Sequence, residues 1–216
     1  MRPRLAWALW LAAAGACALL APAAHAASPA RWVGLSVLGG SAQPVAALAD
    51  DQWDVRPHPA WGAELAAGRG PLTAGFRWWR SGTTQALGLA GVPDPAVRTG
   101  SLEVVSRVQV AHWQSLGVSA LASGGRLSLT WQPDHLTIST GGAPVTVTLD
   151  PIHRWVAGLG VGVGLPLARD WRGALEAERR VYSLDTAHRS GGSVEFAHER
   201  FGDWSARVAL TRAWAW

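Results

Sequence analysis

Residues 155–165 read W-V-A-G-L-G-V-G-V-G-L, and this stretch decides the fold class. In an extended strand successive side chains point to opposite faces. One face then carries Trp155, Ala157, Leu159, Val161, Val163 and Leu165, all apolar. The other carries Val156, Gly158, Gly160, Gly162 and Gly164, with almost no side chain. A smooth apolar face backed by glycine suits a strand with lipid or core outside and a crowded lumen inside.

Working outward, seven more segments alternate with period two. They are Trp32 to Gly39, Trp61 to Gly68, Leu72 to Trp79, Leu102 to Trp113, Arg126 to Gln132, Trp171 to Leu184 and Trp204 to Trp216. In the fifth in chain order, Leu127, Leu129 and Trp131 stand opposite Arg126, Ser128, Thr130 and Gln132. The pattern predicts an all-β, antiparallel, up-and-down transmembrane barrel of eight strands. Ten strands is the alternative, because segments 143–149 and 193–201 also alternate and an even number is kept. Both segments are expected to extend hairpins beyond the membrane. Short turns at 68–71 and 168–170 alternate with longer connections at 40–60, 81–100 and 184–203. Segment 114–125 reads as an unusually long connection at the end expected to carry short turns.

Residues 1–26 have the three-part form of a cleavable signal peptide. Arg2 and Arg4 form the charged end, Leu5 to Leu20 carry no charge, and Ala24-His25-Ala26 fits the small-x-small cleavage rule. Cys17, the single cysteine, falls in this leader, so residues 27–216 hold no thiol and form one barrel domain. No later apolar run approaches the ~20 residues of a membrane helix. All 19 basic residues are arginine. After the leader 17 arginines face 15 acids, a net +2, with the signs interspersed. A nucleic-acid binder would cluster its positive excess in a patch.

Of 14 tryptophans, Trp7 and Trp10 lie in the leader and twelve remain. Trp32, Trp61, Trp78, Trp79, Trp113, Trp131, Trp155, Trp171, Trp204, Trp214 and Trp216 fall at or near expected strand ends; only Trp53 lies in a loop. Indole has a large apolar body and one N–H donor, so it favours the lipid–water boundary. Two aromatic girdles are expected of a membrane barrel.

The leader, the alternating strands and the aromatic C-terminus together resemble the small bacterial outer-membrane β-barrels of the OmpA and OmpX type. The resemblance is one of pattern over the whole exported chain. It implies a Gram-negative outer-membrane location and lipid and lipopolysaccharide as surroundings. It also implies assembly machinery that reads the last strand. Trp216, Trp214, Leu210 and Val208 fit that assembly signal, and Arg212 departs from it.

The inward faces are expected to collect Glu64, Arg77, Glu103, Arg107, Arg126, Glu176, Glu178, Arg180 and Arg207. Eight strands leave room for side chains but no open pore, so a plug of salt bridges is expected. No cofactor and no metal site is indicated. Outer-membrane lipid A deacylases, also eight-stranded, use a His-x-Ser pair with a Glu. His188-Arg189-Ser190, with Glu195 nearby, has that spacing, although the segment reads as a loop. In such a site His would deprotonate Ser and Glu would orient the imidazole. A structural or surface-interaction role without catalysis is the main expectation. Loops 41–57 and 81–100 are the expected contact surfaces. A lipid A-modifying hydrolase and a soluble periplasmic barrel holding an apolar ligand are the alternatives; the latter would need apolar inward residues.

Overall fold

The structure is a computed structural model that describes residues 31–88, 91–138, 143–190 and 193–215, with the side chains of 187–190 and 193–195 left out. The signal peptide and Trp216 lie outside the described residues. Among the described residues ten strands follow one another: β1 (Arg31–Pro44), β2 (His58–Arg69), β3 (Leu72–Thr84), β4 (Ala96–Trp113), β5 (Leu116–Gln132), β6 (His135–Ile138), β7 (Val145–Thr148), β8 (Ile152–Ala168), β9 (Trp171–Ser190) and β10 (Ser193–Ala215). Eight of them close a ring in the order β1-β10-β9-β8-β5-β4-β3-β2. β6 and β7 form a separate two-stranded hairpin, so the ring has eight strands and not ten.

Closure follows from register. Cα partners run Val33–Ala67–Ala74–Ser106–Ala122–Leu159–Arg179–Trp204 and return to β1 at Gln43, ten residues (43 − 33) above the start. That stagger tilts the strands about 35–45° from the barrel axis. Because ten is even, the alternation of inward and outward side chains stays consistent around the ring.

At the end bearing both termini, here the lower end, each hairpin turns on two residues. Gly70-Pro71 joins β2 to β3, Gln114-Ser115 joins β4 to β5, and Arg169-Asp170 joins β8 to β9. Gly70 takes φ 58°, a left-handed conformation that costs glycine little. Segment 114–125 is therefore no long connection: β5 starts at Leu116, and the alternation there is muted because its residues are small.

The upper end differs. Residues 45–57 fold back over the mouth instead of standing clear of it. Val45 donates to the Gly202 carbonyl at 3.0 Å, Asp54 N–H to the Thr84 carbonyl at 2.8 Å, and the Thr83 hydroxyl to the Asp54 carbonyl at 2.6 Å. Leu48 and Trp53 are buried beneath this lid. Residues 143–149 do not lengthen a barrel strand, because Val145–Thr148 pairs with His135–Ile138 alone. Residues 193–201 do continue a strand, as the upper part of β10 paired with β9.

Candidate functional site

The lumen holds two layers of opposite chemistry. The middle layer is ionic and is built by ladder register. Glu64, Arg77 and Glu103 are successive partners across β2, β3 and β4, and Arg180 and Asp203 are partners across β9 and β10. Arg107 grips Glu64 through two nitrogens, at 2.5 and 2.8 Å, and donates Nε to Glu176 at 2.7 Å. Arg180 forks onto Asp203 at 2.8 and 2.9 Å and reaches Glu103 at 2.9 Å. Arg207 bonds Glu176 at 2.9 Å and also Glu178, while Arg77 meets Glu178 at 3.0 Å. Ser101 and Ser123 donate to Glu103 and Glu178.

Four arginines thus face five carboxylates in one connected network, and Arg77 and Glu178 are 0 % exposed. Taking such charges out of water costs several kcal/mol per ion, on the order of what paired geometry must recover. The forked contacts supply that geometry. Asp203 and the serines were not singled out from the sequence; Asp203 follows Gly202 and precedes Trp204, where its parity was legible.

The glycine face of β8 makes room for this layer. A Cβ at Gly158 would fall against Glu178 Oε1 and within 2.5 Å of Ser123 Oγ, and one at Gly162 would meet Glu176 Cγ at 3.3 Å. The alternation that decides the fold therefore also clears space for carboxylates on the neighbouring strand.

The upper layer is apolar. Val97, Leu127, Leu129, Val156, Tyr182, Leu184 and Phe201 point inward and pack with Leu48 and Trp53 of the lid. The upper lumen is thus apolar, but its own side chains and the lid fill it. Below the ionic layer a polar vestibule opens at the lower end, lined by Ser36, Thr73, Gln109, Ser119, Arg172 and Thr211 among others.

Four expected site residues are corrected. Trp79 is 0 % exposed and points into the lumen, its ring 5.5 Å from the Arg207 guanidinium, because Trp78 and Trp79 are neighbours and only one can face out. Trp131 lies among the upper apolar residues and donates its indole N–H to Gln85 at 3.1 Å. Trp32 shares the inward parity of Gly34, Ser36 and Leu38 and lines the lower vestibule under Arg172. Arg126 projects outward, 5.9 Å over the Trp155 ring, and has no place in the lumen network. His188, Ser190 and Glu195 lie in strands rather than a loop, and the register sets His188 opposite Glu195.

The outer wall is the converse surface. Leu35, Leu65, Phe76, Leu102, Leu159, Val161, Leu175 and Val208 are all exposed. Trp61, Trp78, Trp155 and Trp204 stand along the upper edge of this band, and Trp113, Trp171 and Trp214 along the lower edge. On β8 the band runs from Trp155 to Leu165, ten residue steps. At ~3.3 Å per step and a tilt of about 40°, that is roughly 25 Å of height. Soluble monomers rarely expose apolar patches beyond a few hundred Å².

The fold therefore defines a class: a small, closed, eight-stranded antiparallel barrel with a filled lumen and an apolar outer wall. The sequence matches no protein-family model and no curated relative. Solved structures resembling it include Neisserial surface protein A, at 14% identity, covering 83% of this chain and 96% of that one with a TM-score of 0.42. The outer membrane protein AlkL is 14% identical over 90% of this chain and 95% of its own, at TM-score 0.48. A major outer membrane protein from Thermus thermophilus is 10% identical over 88% and 100%, at 0.47. The fold rests on the strand registers, not on these likenesses.

Proposed function

We propose that this chain is an integral β-barrel of the bacterial outer membrane, exported by the leader at 1–26, with a structural or surface-interaction role and no open pore. The observation that carries this reading is the continuous apolar band, about as tall as a bilayer's hydrocarbon span and edged by tryptophan above and below. Leaving that band in water would expose large apolar area, at roughly 25 cal/mol per Å². The filled lumen supports the absence of a pore. Its partners are membrane lipid, including lipopolysaccharide, and the outer-membrane assembly machinery acting on the last strand.

Surface contact falls to the β6–β7 hairpin and the β9–β10 ribbon, which extend above the band, rather than to the folded-down lid. The lipid A hydrolase reading has in its favour only the register of His188 against Glu195. Replacing His188 and Ser190 and weighing lipid A by mass spectrometry separates the two. Membrane fractionation with gel mobility before and after heating tests the main reading. An outer-membrane band that shifts on heating is expected. A soluble periplasmic band with no heat shift would overturn it.

A further inference from the structure

We infer that the outer wall of β3, β4 and β5, just above the apolar band, binds the phosphorylated sugar headgroup of an outer-leaflet glycolipid. This rests on the membrane placement proposed above and adds the residues that hold the headgroup.

Three arginines on adjacent strands project outward there. Arg80 of β3 is the ladder partner of Gly100, and Gly100 is the partner of Ser128 on β5. Arg98 sits two residues from Gly100 on β4, and Arg126 sits two residues from Ser128 on β5. Arg80 and Arg98 are thus diagonal neighbours about 7–8 Å apart at Cα, within reach of long side chains. Arg126 closes the third side, two strands over and two residues along from Arg80, so its Cα stands roughly 12 Å from that of Arg80. It lies four residues along from Arg98's partner Thr130, roughly 14 Å from Arg98 at Cα.

The floor between them is bare. Gly100 has nothing within 4 Å of where a Cβ would stand, and along that row it is flanked by Arg80 on β3 and Ser128 on β5. Trp78, Leu102 and Trp155 form the apolar lower rim, all exposed. The result is a shallow depression with donors around it and hydrocarbon below.

Its charge is uncompensated. β3 and β5 contain no acidic residue, and Glu103, the one in β4, is buried in the lumen. Among the described residues none of the three arginines makes an ion pair, and only Arg126 has a ring contact, with Trp155. The four arginines of the ionic layer, by contrast, are all paired with carboxylates. Guanidinium forks match phosphate oxygens in bidentate fashion. One phospholipid phosphate would satisfy one fork. Three forks around a floor two strands wide fit a rigid sugar carrying more than one phosphate.

The test is binding of bisphosphorylated lipid A to the folded barrel in neutral detergent, followed by native mass spectrometry. Dephosphorylated lipid A and phosphatidylglycerol serve as comparison probes. Wild type should retain bisphosphorylated lipid A at least tenfold better than either. The triple variant R80Q/R98Q/R126Q should lose that advantage, and Gly100→Leu, which fills open space without a clash, should weaken retention several-fold. Arg31→Gln with Arg69→Gln, at the lower end, should leave it unchanged, and a retained heat shift shows that each variant folds. Equal retention by the triple variant, or equal binding of phosphatidylglycerol, would overturn the site. A soluble periplasmic band on fractionation would instead overturn the membrane placement, so the two failures are distinguishable.

Discussion

The middle and upper layers of the lumen occupy the same cylinder, yet they are held together in opposite ways. In the middle layer Arg107 and Arg180 fork onto carboxylates, while Arg77 and Arg207 hold theirs by single hydrogen bonds. In the upper layer Leu127, Leu129, Val156 and Phe201 simply exclude water. The difference follows the outer wall. Where lipid-type residues lie outside, polar residues fill the inside; above the band, Arg98, Arg126, Ser128 and Thr130 stand outside and apolar residues fill the inside. The barrel is inside-out below that line and built like a soluble barrel above it.

The comparison breaks most visibly when one ion loses its partner. Arg180→Met leaves Asp203 without a cation and should cost about 3–5 kcal/mol, read by urea unfolding in lipid vesicles. Adding Asp203→Leu should recover at least half of the loss; no recovery would show that the charges are not coupled as described. In the upper layer Leu127→Ala should cost ~2–4 kcal/mol with no such rescue from a second change, since the loss is cavity and transfer energy.

Trp79 sharpens the boundary between the layers. Its indole N–H is buried without a partner, so Trp79→Phe removes an unsatisfied donor along with some packing and should change stability by less than about 1.5 kcal/mol. A loss of several kcal/mol would mean that the indole carries a polar contact of its own.

The smallest effect concerns the lid. The Arg56 side chain bonded to Asp54 holds that carboxyl well below the usual carboxylate range. A depressed folded pKa adds stability above the unfolded carboxylate value, near 4, and that stability is lost as pH falls below it. Hydrogen-exchange protection factors at the Leu48 and Trp53 amides, corrected for the intrinsic pH dependence of exchange, should therefore stay high at neutral pH and fall below about pH 4. Asp54→Asn should flatten this dependence.

How much of this was legible depends on where each strand crosses the upper boundary. β8 is legible because its alternation, apolar against glycine, lies wholly within the band. The same pattern applied to β5 exchanges its faces above Gly125. There Leu127, Leu129 and Trp131 turn inward while Arg126 turns outward, and an outward-apolar rule fails above the apolar band. The lower half of β5 was missed because Ser119, Ala120 and Ala122 carry too little hydrophobic contrast to register as alternation. Among the tryptophans, position near a strand end was visible but facing was not: Trp78 and Trp79 are adjacent, and Trp32 differs from Val33 only in parity. In sequence the lid reads as a free loop because nothing local distinguishes Leu48 and Trp53 from exposed residues; their burial is a tertiary contact.

Immersion of the apolar band in lipid is tested most directly by fluorescence at single cysteines, since residues 27–216 contain none. Cysteines at Phe76, Val161 and Val208, labelled with a fluorophore, should be strongly quenched by lipids brominated along their chains. A label at Thr84, above the band, should be almost unaffected. Equal, weak quenching at all four, with rapid labelling of Val161→Cys by a water-soluble maleimide, would contradict immersion and with it the membrane barrel.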